Sequence, residues 1–145
     1  MSYIYAQAAE EIFNCLHKNV ERFADQPVVS VSFIEIAGDH VHDLLNAFQP
    51  TQLRSAGDGS VHAYPVVEPR VSNKEELLAV IQHALNIRTT AATGVHDQSS
   101  RSHAVLKIYI QRNDKRIKGG NGREIVEGTL TLVDLAGSEH RIDSM

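Results

Sequence analysis

Apolar and polar residues change period several times along the chain, and each change marks an element. From Ala6 to Phe23, the residues Ala8, Ile12, Leu16, Val20 and Phe23 recur at helical spacing, with Glu10, Glu11 and Lys18 between them. This predicts a helix with one buried stripe, stopped by Pro27. Cys15 lies beside the stripe and reads as a small apolar filler rather than a nucleophile. Val28 to Ile36, VVSVSFIEI, switches to a period of two. Val29, Val31 and Phe33 share one face, and the β-branched content predicts a strand. Ala37-Gly38-Asp39 predicts a turn. The following HVHDLLNAF fits a short strand or a helical turn. Pro50 opens a looser stretch, and SAGDGS at Ser55–Ser60 predicts a hairpin tip between LR and VHAYPVV.

The second half repeats the alternation of periods. Ser72 to Ile87 reads as a helix, with Ser72 and Glu75 as a capping box and Leu77, Leu78, Ile81, Ala84 and Leu85 as its buried stripe. Thr89 to His103 is polar and rich in small residues, a loop long enough to suspect a function. Ala104 to Gln111 returns to strand, with Ala104, Leu106, Ile108 and Ile110 on one face. Lys115 to Gly122, KRIKGGNG, reads as a solvated hairpin tip. Arg123 to Asp134 is the last strand. The predicted order is helix, strand, hairpin, helix, loop, strand, strand: an α/β fold with a mixed sheet and helices packed on it.

Composition narrows the class. The chain has 145 residues, 22% charged and 42% hydrophobic, the profile of one globular domain. A net charge of −4 argues against whole-domain attraction to nucleic acid or an anionic membrane. Cys15 is the only cysteine, so no intramolecular disulfide forms. No apolar run approaches the roughly 20 residues of a membrane span. The N-terminal MSYIYAQAAEE lacks a basic region followed by an apolar stretch, so no secretory signal is read and the cytosol is the expected compartment.

Two polar stretches carry candidate chemistry. LTLVDLAGSE, Leu130 to Glu139, ends an apolar strand in a carboxylate with a glycine close behind. Asp and Gly are ordinary turn residues. An Asp at a strand's carboxyl end is also where α/β sheets gather ligands, and its oxygens suit Mg²⁺. SSRSH, Ser99 to His103, places hydroxyls, a guanidinium and an imidazole just before a strand. Hydroxyls can ligate Mg²⁺ or bond phosphate, and Arg101 can pair with a carboxylate such as Glu139. If the two following strands are antiparallel, both stretches meet at one end of the sheet. A serine hydrolase using Ser99 or Ser102 with His103 and Asp134 is disfavoured. No GxSxG elbow is present, and neighbouring strand residues point to opposite faces. His40 and His42 share one side of a strand but lack further placed ligands, so a surface position is expected for them.

SSRSHAVLKI followed by LTLVDLAGSE resembles the kinesin motor domain, with its switch I (NxxSSRSH) and switch II (DLAGSE) loops. VVSVSFIEIAGDHVHDLL resembles the strand that reads VSFLEIYNEKVYDLL in that family. The helix ending NIRTTAATG resembles the one leading into switch I. The resemblance implies a partial kinesin-type P-loop NTPase fold over residues 1–145, the middle portion of a motor domain. It implies ATP or ADP with Mg²⁺ as ligands and microtubules (tubulin) as partner, in the cytoplasm on the cytoskeleton. By matching position, Ser100 ligates Mg²⁺, Ser99 lies by the γ-phosphate, Asp134 holds the Mg²⁺ shell through water, and the Gly137 N–H binds the γ-phosphate. Arg101 and Glu139 pair to close the two loops and help arrange the attacking water.

The sequence departs from the pattern in places. His96 stands where the family has asparagine, so the nucleotide-facing amide becomes an imidazole of different shape. Ala37-Gly38 replaces a frequent Tyr-Asn, and His140-Arg141-Ile142 follows DLAGSE. No GxxxxGK[ST] occurs. In the family that loop lies upstream of the first helix here, and the main microtubule-binding helices follow Met145. The expectation is therefore a segment that carries the γ-phosphate sensors and is not active as an ATPase alone. The strand Thr129–Asp134 is expected to present an open edge prone to self-association. The competing class is a nucleotide-independent interaction module that keeps the motor scaffold.

Overall fold

β1 (Val28–Ala37) is the strand on which the sheet is built. In the computed structural model, residues 3–18, 27–92, 102–113 and 124–135 are described. Along the chain these form α1 (Tyr3–Lys18), β1, β2 (His40–Asp43), β3 (Gln49–Ser55), β4 (Val61–Tyr64), β5 (Arg70–Val71), α2 (Lys74–Ala92), β6 (His103–Asn113) and β7 (Glu124–Asp134). The sheet runs β4-β3-β2-β1-β6-β7, with the short β5 also on β1. The described pairings are antiparallel. The α/β expectation of helices packed on a sheet holds, and the SAGDGS hairpin is present as β3–β4. HVHDLLNAF resolves into β2 followed by a turn. Pro50, expected in looser chain, lies within β3 opposite His42.

One face of the sheet is the core. Val29, Val31 and Phe33 of β1 and Ala104, Leu106 and Ile108 of β6 are essentially inaccessible. α1 and α2 cover them, with Leu77, Ile81 and Ala84 of α2 packed into the same cluster. Burying aliphatic and aromatic side chains of this kind contributes about 1.5–3 kcal/mol each. The α1 stripe is shifted from the expected one. Tyr5, Ala9 and Phe13 are buried, while Ile12 and Leu16 only flank them. The two aromatic rings have the most apolar area to hide, so the helix turns to seat them, Tyr5 with its ring centroid 6.1 Å from that of Phe33. Cys15, expected as an apolar filler, is exposed. Val20 and Phe23 lie outside the described residues.

The α2 cap is offset by one from the expected Ser72–Glu75 pair. Asn73 Oδ1 accepts the Glu76 N–H at 2.8 Å, and Glu76 Oε2 accepts the Ser72 N–H at 2.7 Å. Asn73 is the N-cap, and Glu76 reaches one residue further back than in a capping box, to the N–H before the cap. At its other end α2 continues to Ala92, where a loop was expected from Thr89. Thr89 and Thr90 return their hydroxyls to the carbonyls of Leu85 and Asn86 four residues back, which satisfies them inside a helix.

On the opposite face, the β3–β4 hairpin folds over β1 and β6. Between them lies a cleft of about 640 Å³, lined by Ser32, Ile34, Val61, Tyr64, Lys107 and Tyr109 among others. Burial pushes the Tyr109 hydroxyl above its ordinary pKa there, against a hydrogen bond with Ser32. The cleft lies across the sheet from the charged side chains described next.

Candidate functional site

Periodicity brings four polar side chains to one end of the buried face. Glu35 continues the line Val29, Val31, Phe33. Ser102 precedes the line Ala104, Leu106, Ile108. Asp134 follows Leu132, which packs against the core. Register then sets them side by side: Glu35 pairs with Ala104, and Ala104 with Asp134. Two carboxylates are therefore separated only by a strand carrying a methyl group. Arg88 continues the stripe Leu77, Ile81, Ala84 of α2 and lies over that row.

The Arg88 guanidinium joins all three strands. Its Nε donates to Glu35 Oε2 and its Nη1 to Asp134 Oδ2, each at 3.1 Å. Its Nη2 donates to the Ser102 carbonyl at 3.2 Å and to Ser102 Oγ at 3.1 Å. Glu35 is 1% exposed, Arg88 11% and Asp134 35%. Exposure thus rises from the sheet interior to the β7 tip. Among the described residues, one cation faces two carboxylates. Glu35 Oε1 is buried without a hydrogen-bond partner among the described residues. The field reaches α1 as well. Burial raises the Tyr5 hydroxyl's pKa, the Asp134 charge raises it further, and Arg88 acts in the opposite sense.

Asp134 stands at the strand tip where its motif placed it, and β6 and β7 are antiparallel as expected. A partly exposed carboxylate at the carboxyl end of a strand is an oxygen donor of the kind Mg²⁺ takes. His96, Ser99, Ser100, Arg101, Gly137 and Glu139 lie outside the described residues, as does Lys115–Gly122. Ser102 is fully buried with its hydroxyl engaged by Arg88, which removes it as a hydrolase nucleophile. His42 is half-buried rather than on the surface, with its ring stacked on Phe48 at 4.2 Å. Among the described residues, no group of three or more His, Cys, Asp or Glu side chains could hold a metal. Sequence reasoning missed Arg88 and Glu35, and named Ser102 only within SSRSH and as a disfavoured nucleophile. The signal was available: one charge of each sign falls on the buried line of α2 and of β1, and a buried charge needs its counter-ion.

A family model, the kinesin motor domain, matches residues 2–145. The chain belongs to the kinesin motor-domain family. It is 35% identical over 129 residues to the kinesin-like protein tea2 of Schizosaccharomyces pombe, covering 87% of this chain and 20% of that protein. It is 36% identical to the diatom spindle kinesin-1 of Cylindrotheca fusiformis, covering 89% and 19%. A solved fast kinesin superposes with a TM-score of 0.73 at 30% identity, covering 92% of this chain and 36% of the other. The chain thus spans about a fifth of the length of these curated relatives.

Proposed function

We propose that this chain is the part of an ATP-driven microtubule motor that senses the γ-phosphate and Mg²⁺. The observation that carries the reading is the Ala104–Asp134 register, which puts the end of SSRSH and the start of DLAGSE side by side at one end of the sheet. Asp134 would hold the water shell of Mg²⁺, and Ser100 would ligate the ion. Ser99, the Gly137 N–H and His96 would face the γ-phosphate. Arg101 and Glu139 would pair and orient the attacking water, the positioning and charge neutralisation that phosphoryl transfer needs. Mg²⁺, when bound, supplies charge neutralisation between phosphate oxygens. Microtubules are the partner by family, and the cytoplasmic cytoskeleton the setting. Residues 1–145 are the middle portion of the motor domain, and ATP hydrolysis belongs to the intact motor rather than to this segment alone.

Binding of a fluorescent ATP analogue, with and without Mg²⁺, tests the reading. Mg²⁺-dependent binding that Asp134→Ala weakens tenfold or more, about 1.4 kcal/mol at the least, supports it. Absence of binding at high protein concentration favours the nucleotide-independent interaction module. The same samples report on self-association. Leu130 and Val133 of β7 are 37% and 51% exposed, and among the described residues β7 pairs with β6 alone. An open apolar edge favours pairing with another chain. Sedimentation that stays monomeric as concentration rises would count against that.

A further inference from the structure

The switch motifs do not include Arg88, yet its side chain touches the root of each. We propose that Arg88 is a positioning residue that holds the Asp134 carboxylate and Ser102, just before β6, in one rigid frame, so that the carboxylate keeps a fixed orientation toward the metal shell. The inference rests on the reading of Asp134 as the Mg²⁺-shell carboxylate.

The geometry requires an arginine. Neighbouring strands lie about 4.8 Å apart, so the β1 and β7 backbones are about two such spacings apart. A guanidinium offers five donors in a rigid plane and reaches both sides at once, whereas an ammonium is a point charge that must choose. Here Nε is committed to Glu35, which is fully buried, and that bond fixes the plane of the fork. Nη1 then meets Asp134 Oδ2 and sets the rotation of that carboxylate. Nη2 meets both the carbonyl and the hydroxyl of Ser102, two residues after Ser100 in the chain. Glu35 is the anchor, Asp134 and Ser102 are the positioned groups, and α2 carries the fork. Groups that orient metal-shell ligands in this way typically carry 10–100-fold in metal affinity.

Arg88→Lys in the 145-residue chain keeps the positive charge and its pairing with Glu35 but loses the span. The expected result is a loss of about tenfold or more in the factor by which Mg²⁺ strengthens binding of the fluorescent ATP analogue, with binding in excess chelator changed by no more than about twofold. A residue acting only through stability would weaken both conditions together, and that result overturns the proposal. Should the variant not fold, nitrogen-15 NMR of the unaltered chain decides. A slowly exchanging Arg88 Nε–H with distinct Nη signals, altered by Asp134→Asn, supports the frame. An averaged signal like that of exposed arginines overturns it. Absence of Mg²⁺-dependent binding by the unaltered chain overturns the nucleotide reading and the metal half of this inference, while the NMR signal still reports on the frame itself.

Discussion

Glu35 and Asp43 are both 1% exposed, yet they are held in different ways. Asp43 is tied by backbone. Its Oδ1 accepts the Leu45 N–H at 2.9 Å and its Oδ2 the Val67 N–H at 2.8 Å, while its own carbonyl accepts from Asn46 and Phe48. These bonds hold a turn in which Ala47 and Phe48 adopt positive φ, a conformation that costs non-glycine residues about 1 kcal/mol or more. The bonds to Asp43 hold the β2–β3 turn in place and tie the backbone after β4 to it. Glu35 instead meets a side chain that it shares with Asp134 and Ser102. Burial alone does not separate a structural carboxylate from a functional one. The partner does: fixed amides make a knot, whereas a shared cation joins segments that are far apart in sequence.

The largest break in that comparison comes from Arg88→Gln. It leaves Glu35 buried without its counter-ion, which costs about 3–5 kcal/mol when one partner of a buried pair is removed. Urea unfolding should show this as a lower midpoint with little change in slope. Adding Glu35→Gln should recover part of the loss, because the uncompensated charge is then gone. A loss below about 1 kcal/mol for the single variant, the value of an exposed pair, would show that the Arg88 side chain is solvated.

Asp43→Asn should cost less, about 1.5–3 kcal/mol, the range for hydrogen bonds to a charged group. The single amide oxygen can serve Leu45 or Val67, and the NH₂ then faces the other N–H. No second-site change should rescue it, since the donors are backbone. That contrast, rescue for one carboxylate and none for the other, is the sharpest test of the distinction, and equal rescue in both would remove it.

The fold was legible where a period runs uninterrupted. Val29–Val31–Phe33, Leu77–Ile81–Ala84 and Ala104–Leu106–Ile108 were each readable as one face, and each is buried. The motif residue Asp134 was readable for the same reason, as the end of an apolar strand. The buried line of α1 was misplaced because Tyr5 and Phe13 outweigh the smaller residues that marked the period. The cap moved from Ser72 to Asn73 because both can cap and only the three-dimensional approach of Glu76 selects between them. Arg88 and Glu35 were not recognised because each, taken alone, is a polar residue in an apolar row. Their meaning appears only when the Glu35–Ala104–Asp134 register sets two carboxylates beneath one helix.

The smallest expected effect concerns a third carboxylate, Glu68, on the Asp43 side. Burial in the cleft below the hairpin is the main cause that raises its pKa above 4.5, and the Asp43 charge acts in the same direction, while His62 and Lys107 oppose them. The folded chain therefore holds this proton more tightly than the unfolded chain does. Its contribution to stability is complete below the unfolded value and is lost as pH rises through the folded one. Glu68→Gln removes the titration, so the thermal midpoint of the variant should fall less than that of the parent as pH climbs from about 4 toward neutrality. Asp43→Asn should flatten the same slope in part, since it removes one of the raising charges. Much of Glu68 reaches solvent, which screens these terms and keeps the effect small. Parallel midpoint curves for parent and Glu68→Gln would show that the cleft leaves its carboxyl hydrated, and that the Asp43 knot is electrically isolated from the face behind it.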